Sequence, residues 1–252
     1  MRRIALASFT GAVAFSVPIL AHAAARPEPL VASRPLVLLF AMAALSLVPF
    51  ALLMTTCFVR IAVVLSILRS AIGTAQVPPG QVLTGLALIL TLFVMAPTGE
   101  RIYRAVQPVL GLGAGAELLS GESVHALAVA GERAKEPLRE FLIKHADSRD
   151  RALFHGLALK LRAPAERAAI ADSDLLVVVP AFVTSELRRA FEIGFLLFIP
   201  FLIVDLVIAN LLLALGMHML SPASIALPFK LLLFVLADGW HLVIRGLIEG
   251  YL

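Results

Sequence analysis

Cysteine, tryptophan and tyrosine are nearly missing from this chain: its 252 residues include one, one and two of them, and charged residues make up only 15%. The single thiol, Cys57, excludes an intramolecular disulfide and any multi-cysteine metal site. Set in an apolar run, it reads as small apolar packing. Aromatic residues amount to 7%, and the 21 basic side chains, facing 17 acidic ones, gather into no stripe. Nucleic-acid binding needs a basic footprint with stacking side chains, so that class is excluded. The chain has no serine nucleophile elbow, no zinc-ligand pair and no phosphate loop, and so offers neither an enzyme site nor a cofactor site. His125, His145 and His155 lack a second ligand at helical spacing and form no metal-binding pattern.

What the chain does have is apolar length. Hydrophobic residues reach 60% and mean hydropathy is +0.97, values that belong to an all-α membrane-type protein. Met1-Arg2-Arg3, the apolar Ile4 to Leu20 and Ala21-His22-Ala23 read as a signal peptide over residues 1–25, cut after Ala23 or Ala25. Pro35 to Val59 carries no charge, and Leu36 to Met54 suits a first membrane span. The apolar pattern runs on past Arg60 to Arg69, predicting either a helix that emerges from the membrane or one buried in protein. These two arginines mark that side as cytoplasmic. Gly73 to Gly80, with Pro78 and Pro79, is a loop. Val82 to Ala96 is a second apolar run, short for a span, which Pro97 is expected to close.

Four apolar segments and one soluble interlude divide the chain into N-terminal apolar helices (26–97), a helical insert (98–174) and a C-terminal helical hairpin (175–252). In the insert, Leu138, Phe141, Leu142 and His145 form one helical stripe. Leu153, Phe154, Leu157, Ala158 and Leu161 form another, behind Asp147 as N-cap with Asp150 at N3. At the start of the hairpin, Glu186 with Arg189 and Arg188 with Glu192 make a charged collar. It is either a self-satisfied ladder or an intersubunit contact. The hairpin itself, Phe201 to Trp240, carries Asp205, Lys230 and Asp238 within apolar sequence, where each needs a partner. Asp205 precedes Gly216 by 11 residues and Lys230 follows Pro222 by 8. In a folded-back pair they stand ~16 and ~12 Å from the tip, an offset a lysine stem closes. Asp205 and Lys230 are therefore expected to pair, within or between subunits, with Glu186 as the competing acceptor; Arg60 is a further candidate for a buried charge contact.

Several long strings resemble the FliP/SctR export-gate family of type III secretion systems. They are Leu53 to Arg69 with Gly73-Thr74 and Val77-Pro78-Pro79, Gly85 to Pro97, Pro180 to Leu187 with Ala190 to Phe195, and Leu227 to Val235 with Asp238-Gly239-Trp240. They follow one another in the family's order. Ile89 to Phe93 and Lys135 to Leu142 look more like the injectisome branch, whereas a cleaved leader is more typical of the flagellar one, so a flagellar export-gate subunit is the alternative reading. The resemblance implies a pore-forming subunit in the inner membrane, its insert on the periplasmic side, that assembles as a homo-oligomer. Its implied partners are smaller subunits of the FliQ/SctS and FliR/SctT type, larger export-apparatus subunits and the secreted unfolded polypeptide. It further implies a methionine-rich gasket at the pore, a place that Met217-His218-Met219 occupies between Gly216 and Ser221-Pro222. Unbranched thioethers are apolar and adaptable, suited to sealing against ions yet deforming around a chain; His218 interrupts the usual methionine run. From another class, a small-solute channel or transporter also accommodates four apolar segments with buried charges; no inverted repeat supports it.

Overall fold

The computed structural model describes residues 33–74, 77–110 and 121–252, and among these residues the regular structure is entirely helical. The proposed signal peptide over 1–25 lies outside the described residues. The chain divides into two units, residues 1–46 and 47–252. Described within the first is the opening of α1 (Ser33–Met54), an apolar helix whose Leu39 and Met42 are exposed.

The second unit begins with the rest of α1, which breaks at Thr55-Thr56-Cys57 and turns by 73° into α2 (Phe58–Ile72). Neither glycine nor proline makes this break. The Thr55 hydroxyl donates at 2.8 Å to the Ala51 carbonyl, which also accepts from the Thr55 N–H, and the Thr56 hydroxyl donates to Leu53 at 3.1 Å, so side chains share the carbonyls of the last turn of α1. Thr56 Oγ1 also accepts from the Phe58 N–H, which helps start α2. Of the two outcomes the sequence left open beyond Arg60, burial in protein is the one found. Val59, Ile61, Val64, Leu65, Leu68, Ala71 and Ile72 of α2 are all buried, and Gly73 ends the helix in the left-handed region at φ 84°.

Helix α3 (Gly80–Leu110) corrects the expected stop at Pro97: it continues through that residue and through Pro108 for 31 residues. A proline removes one backbone hydrogen bond, and a helix tolerates that loss when packing holds it on both sides. α3 packs on α2 and also on α4 (Gly121–His145), with Leu83, Ala87 and Leu90 in the core before the proline. α5 (Ser148–Leu161) follows a short elbow, and a 3₁₀ turn (Pro164–Ala169) leads towards α6.

Helix α6 (Leu175–Ala214) is the spine. Its 40 residues pass through Pro180 and Pro200 and span ~60 Å, about twice the hydrocarbon thickness of a bilayer. Its first half packs on α2, α4 and α5; its second half faces α7 (Pro222–Leu236), which bends by 61° at Asp238 into α8 (Gly239–Glu249). Asp238 sits at φ 48°, in the region an aspartate tolerates better than most side chains. Gly239 leaves room for the Phe234 ring, 2.2 Å from where a Cβ would stand. Among the described residues two helices, α3 and α6, are long and apolar enough to cross a membrane, and up to four spans result if each bent pair counts as one.

Helices α2 and α6 meet tightly at Gly194, where a Cβ would lie 2.4 Å from Ile67 Cδ1 and 3.0 Å from its Cγ2. Gly194→Leu is expected to destabilise the fold by about 1–3 kcal/mol through overpacking. Thermal unfolding of the detergent-purified protein measures this, and pairing Gly194→Ala with Ile67→Ala should recover most of the loss seen for Gly194→Ala alone.

Candidate functional site

Two groups of charges lie within the apolar body, and the first is the more deeply enclosed. Arg60 on α2 and Glu186 on α6, 126 positions apart, form an ion pair in which the side chains are 2% and 0% exposed. Arg60 Nη1 also donates to the Gly250 carbonyl at 3.1 Å, and its guanidinium lies 4.0 Å from the centre of the Tyr251 ring. The Tyr251 hydroxyl donates to the other carboxylate oxygen of Glu186. A buried charge persists only when its lone pairs and protons are met, and the carboxylate here meets a guanidinium and a phenol. α2, α6 and the residues after α8 are thereby tied to one point.

The corrections to the charged collar follow from this arrangement. Glu186 is not an acceptor for Lys230, because Arg60 and Tyr251 occupy its oxygens. Arg189 approaches Glu186 at 3.7 Å and donates at 2.9 Å to the carbonyl of His145, the last residue of α4, where the helix dipole favours a cation. Arg188 does not pair with Glu192. It reaches Asp150 at 2.6 Å and Asp147 at 3.1 Å on α5 and its cap. Ser185 Oγ accepts from the Asp147 N–H at 2.9 Å and stands 2.7 Å from Asp150 Oδ2. Asp147 caps α5 by accepting from the Arg149 N–H at 2.9 Å. The collar is thus not a self-contained ladder: it clamps the α4–α5 elbow onto α6.

His145 packs its ring on Phe141 and Tyr251, 4.7 and 5.2 Å between centroids. Burial, reinforced by the cations Lys144, Arg60 and Arg189, pushes its imidazole down to about 4, so it stays neutral at ordinary pH. His155 Nε2 lies 3.3 Å from the Ile170 carbonyl. The side chain of His125 lies outside the described residues. Among the described residues no three His, Cys, Asp or Glu side chains converge as a metal set.

The second group is in the hairpin. Lys230 Nζ lies 2.7 Å from Asp205 Oδ2 and donates to the Ala71 carbonyl at 3.1 Å, in the last turn of α2. Lys230 is buried, while Asp205 remains 37% exposed beside an open cavity of about 420 Å³ that reaches Ser221 and Pro222 at the tip. The structure therefore brings Asp205 and Lys230 together within one chain and adds α2 to their contact. At the tip, the chain reverses through Gly216, in the left-handed region at φ 73°, and Met217 to Leu220. Met217 is 47% and Met219 98% exposed, and His218 is exposed between them. Leu206, Val207, Leu211, Phe229, Leu232 and Val235 continue the apolar exposure along both arms.

Sequence spacing missed Tyr251, Gly250 and Ser185 as members of these groups. The i, i+3 relation of Glu186 and Arg189 was visible, but no local signal points to a tyrosine 65 positions away.

A helical body cross-braced by buried ion pairs, with exposed apolar side chains along the arms of its hairpin, defines an all-α membrane-type protein. A family model described as FliP family matches residues 41–247, and the chain belongs to that family. The hypersensitivity response secretion protein HrcR of Ralstonia nicotianae is 46% identical over 82% of this chain and 93% of its own length. The flagellar biosynthetic protein FliP of Caulobacter vibrioides is 51% identical over 83% of this chain and 74% of its own length. The Yop proteins translocation protein R of Yersinia pestis is 42% identical over 85% and 95%, respectively.

Removing either partner of the buried pair leaves the other charge uncompensated. Glu186→Gln or Arg60→Leu is expected to cost about 3–5 kcal/mol. Tyr251→Phe, which strands only one hydrogen-bonding position, should cost about 1–3 kcal/mol. Denaturation of the purified protein checks this order; a Tyr251→Phe loss as large as that of Glu186→Gln would contradict it.

Proposed function

We propose that the chain is a core pore-forming subunit of a type III protein secretion export gate, passing unfolded proteins across the bacterial inner membrane. The observation that carries this reading is the FliP-family match over residues 41–247, shared with relatives named for secretion and translocation. In this reading we favour the injectisome branch, whose relatives HrcR and the Yersinia protein the chain covers to 93% and 95%, over the flagellar one, whose relatives it covers to 74% (Caulobacter) and 90% (Bacillus subtilis). In this reading the subunit has no catalytic role and forms a homo-oligomer. Smaller hydrophobic subunits of the FliQ/SctS and FliR/SctT type and larger export-apparatus subunits join it, with residues 98–174 on the periplasmic side.

The arms of α6 and α7 supply the assembly surface. Their apolar side chains need cover, and Asp205, partly exposed midway along its arm, offers a carboxylate to a neighbour's donor. Met217 and Met219 form the seal, flexible thioethers that close against ions and yield to a passing chain. His218 introduces a titratable group into that ring.

In the source bacterium, deleting the gene should abolish injectisome secretion and leave swimming intact; lost swimming with normal secretion would transfer the subunit to the flagellum. Charge reversal at Asp205 or at Lys230 alone should reduce recovery of the assembled complex. The double reversal should restore it only in part, because an aspartate at position 230 cannot donate to the Ala71 carbonyl. Met217→Ala with Met219→Ala should raise small-ion conductance of membranes holding the assembled gate, and an unchanged conductance would exclude the methionines from the seal.

A further inference from the structure

The arms α6 and α7 reverse between Leu215 and Ser221, and a chain of backbone hydrogen bonds orders the reversal. The Gly216 N–H donates to the Leu213 carbonyl at 3.1 Å, and the Met217 N–H to the Leu212 carbonyl at 2.9 Å. This pair of bonds is the Schellman closure of a helix, which requires a left-handed residue at the position Gly216 holds. Gly216 meets that requirement at φ 73°. Beyond it the His218 N–H donates to the Gly216 carbonyl at 3.0 Å and the Leu220 N–H to the Met217 carbonyl at 3.4 Å. Pro222, whose fixed φ suits a first helical turn, then opens α7.

Everything after Gly216 takes its direction from the two dihedral angles of that residue. A right-handed residue there would continue α6, break both closing bonds and carry Met217 and Met219 around the helix axis. Steric room does not explain the glycine, because nothing lies within 4 Å of where a Cβ would stand. Gly194 and Gly239 differ in this respect, since a Cβ on either would collide with Ile67 or Phe234. What Gly216 contributes is backbone freedom alone. The turn it sets leaves Met217 about half covered and Met219, two residues on, almost wholly exposed.

We propose that Gly216 is the positioning residue of the seal: its left-handed turn fixes where Met217 and Met219 stand, so the thioethers flex on a backbone that does not. The inference rests on the sealing role of these methionines in the proposed function. Flexible side chains close a gap reproducibly only when the backbone that carries them is held in place. Alanine in the left-handed region carries a penalty equivalent to about a tenfold shift of the equilibrium away from it. Asparagine enters that region more readily, and a β-branched valine least of all.

Gly216→Asn, Gly216→Ala and Gly216→Val separate conformation from size. Tolerance of the left-handed region ranks asparagine before alanine before valine, whereas crowding would penalise the larger asparagine more than alanine. Hydrogen exchange of the full chain in detergent, followed by mass spectrometry, should show the tip exchanging more slowly than an unstructured segment. Gly216→Ala should speed that exchange by about tenfold, and Gly216→Asn by less. Small-ion conductance of membranes holding the assembled gate, compared at equal amounts of complex, should rise from Gly216→Asn through Gly216→Ala to Gly216→Val. Unprotected exchange at the tip of the unaltered protein would overturn the inference, as would Gly216→Ala sealing as well as Gly216→Asn or better. So would Gly216→Val sealing normally while Met217→Ala with Met219→Ala leaks, an outcome that leaves the methionine seal standing. If neither the methionine pair nor any Gly216 variant leaks, the seal and its positioning residue fall together.

Discussion

The carboxylate of Glu186 is the constraint around which the body is arranged. Fully enclosed, it would be intolerable without a charge and a hydrogen bond to match, and it receives Arg60 from α2 and the Tyr251 hydroxyl from beyond α8. Three distant stretches of chain must therefore converge before any one of them is stable. The same helix turn sends Ser185, Arg188 and Arg189 outward to fasten the α4–α5 elbow. One short segment of α6 thus sets where the insert sits and where the chain's last residues lie.

Below that point the logic reverses. From Phe195 onward α6 becomes increasingly uncovered, and α7 returns beside it with the Asp205–Lys230 pair as its polar brace. Lys230 reaches across to the end of α2, so the hairpin is anchored at its base while its tip remains free. The family to which the chain belongs includes proteins named for secretion and for flagellar biosynthesis.

The helical membrane-type class, the end of α2 at Gly73, the cap at Asp147 and the family were all legible in the sequence. Each rests on local composition or on literal strings of residues. Where local rules were pressed further they failed in an instructive way. Pro97 predicts a helix end, but α3 passes through it because α2 and α4 hold the helix on either side. Arg188 predicts a local pair with Glu192, but Asp147 and Asp150, brought in by the elbow, offer two carboxylates in place of one.

What the sequence determined by itself, then, was the class of structure, because burial of apolar residues and the periodicity of a helix are carried by neighbours along the chain. The contact of Asp205 with Lys230 was also foreseeable, since a hairpin makes sequence spacing a ruler. Only the tertiary structure decided who neutralises Glu186. Its partners stand 126 and 65 positions away, and an ion pair at that separation is fixed by how helices pack, which spacing along the chain does not encode.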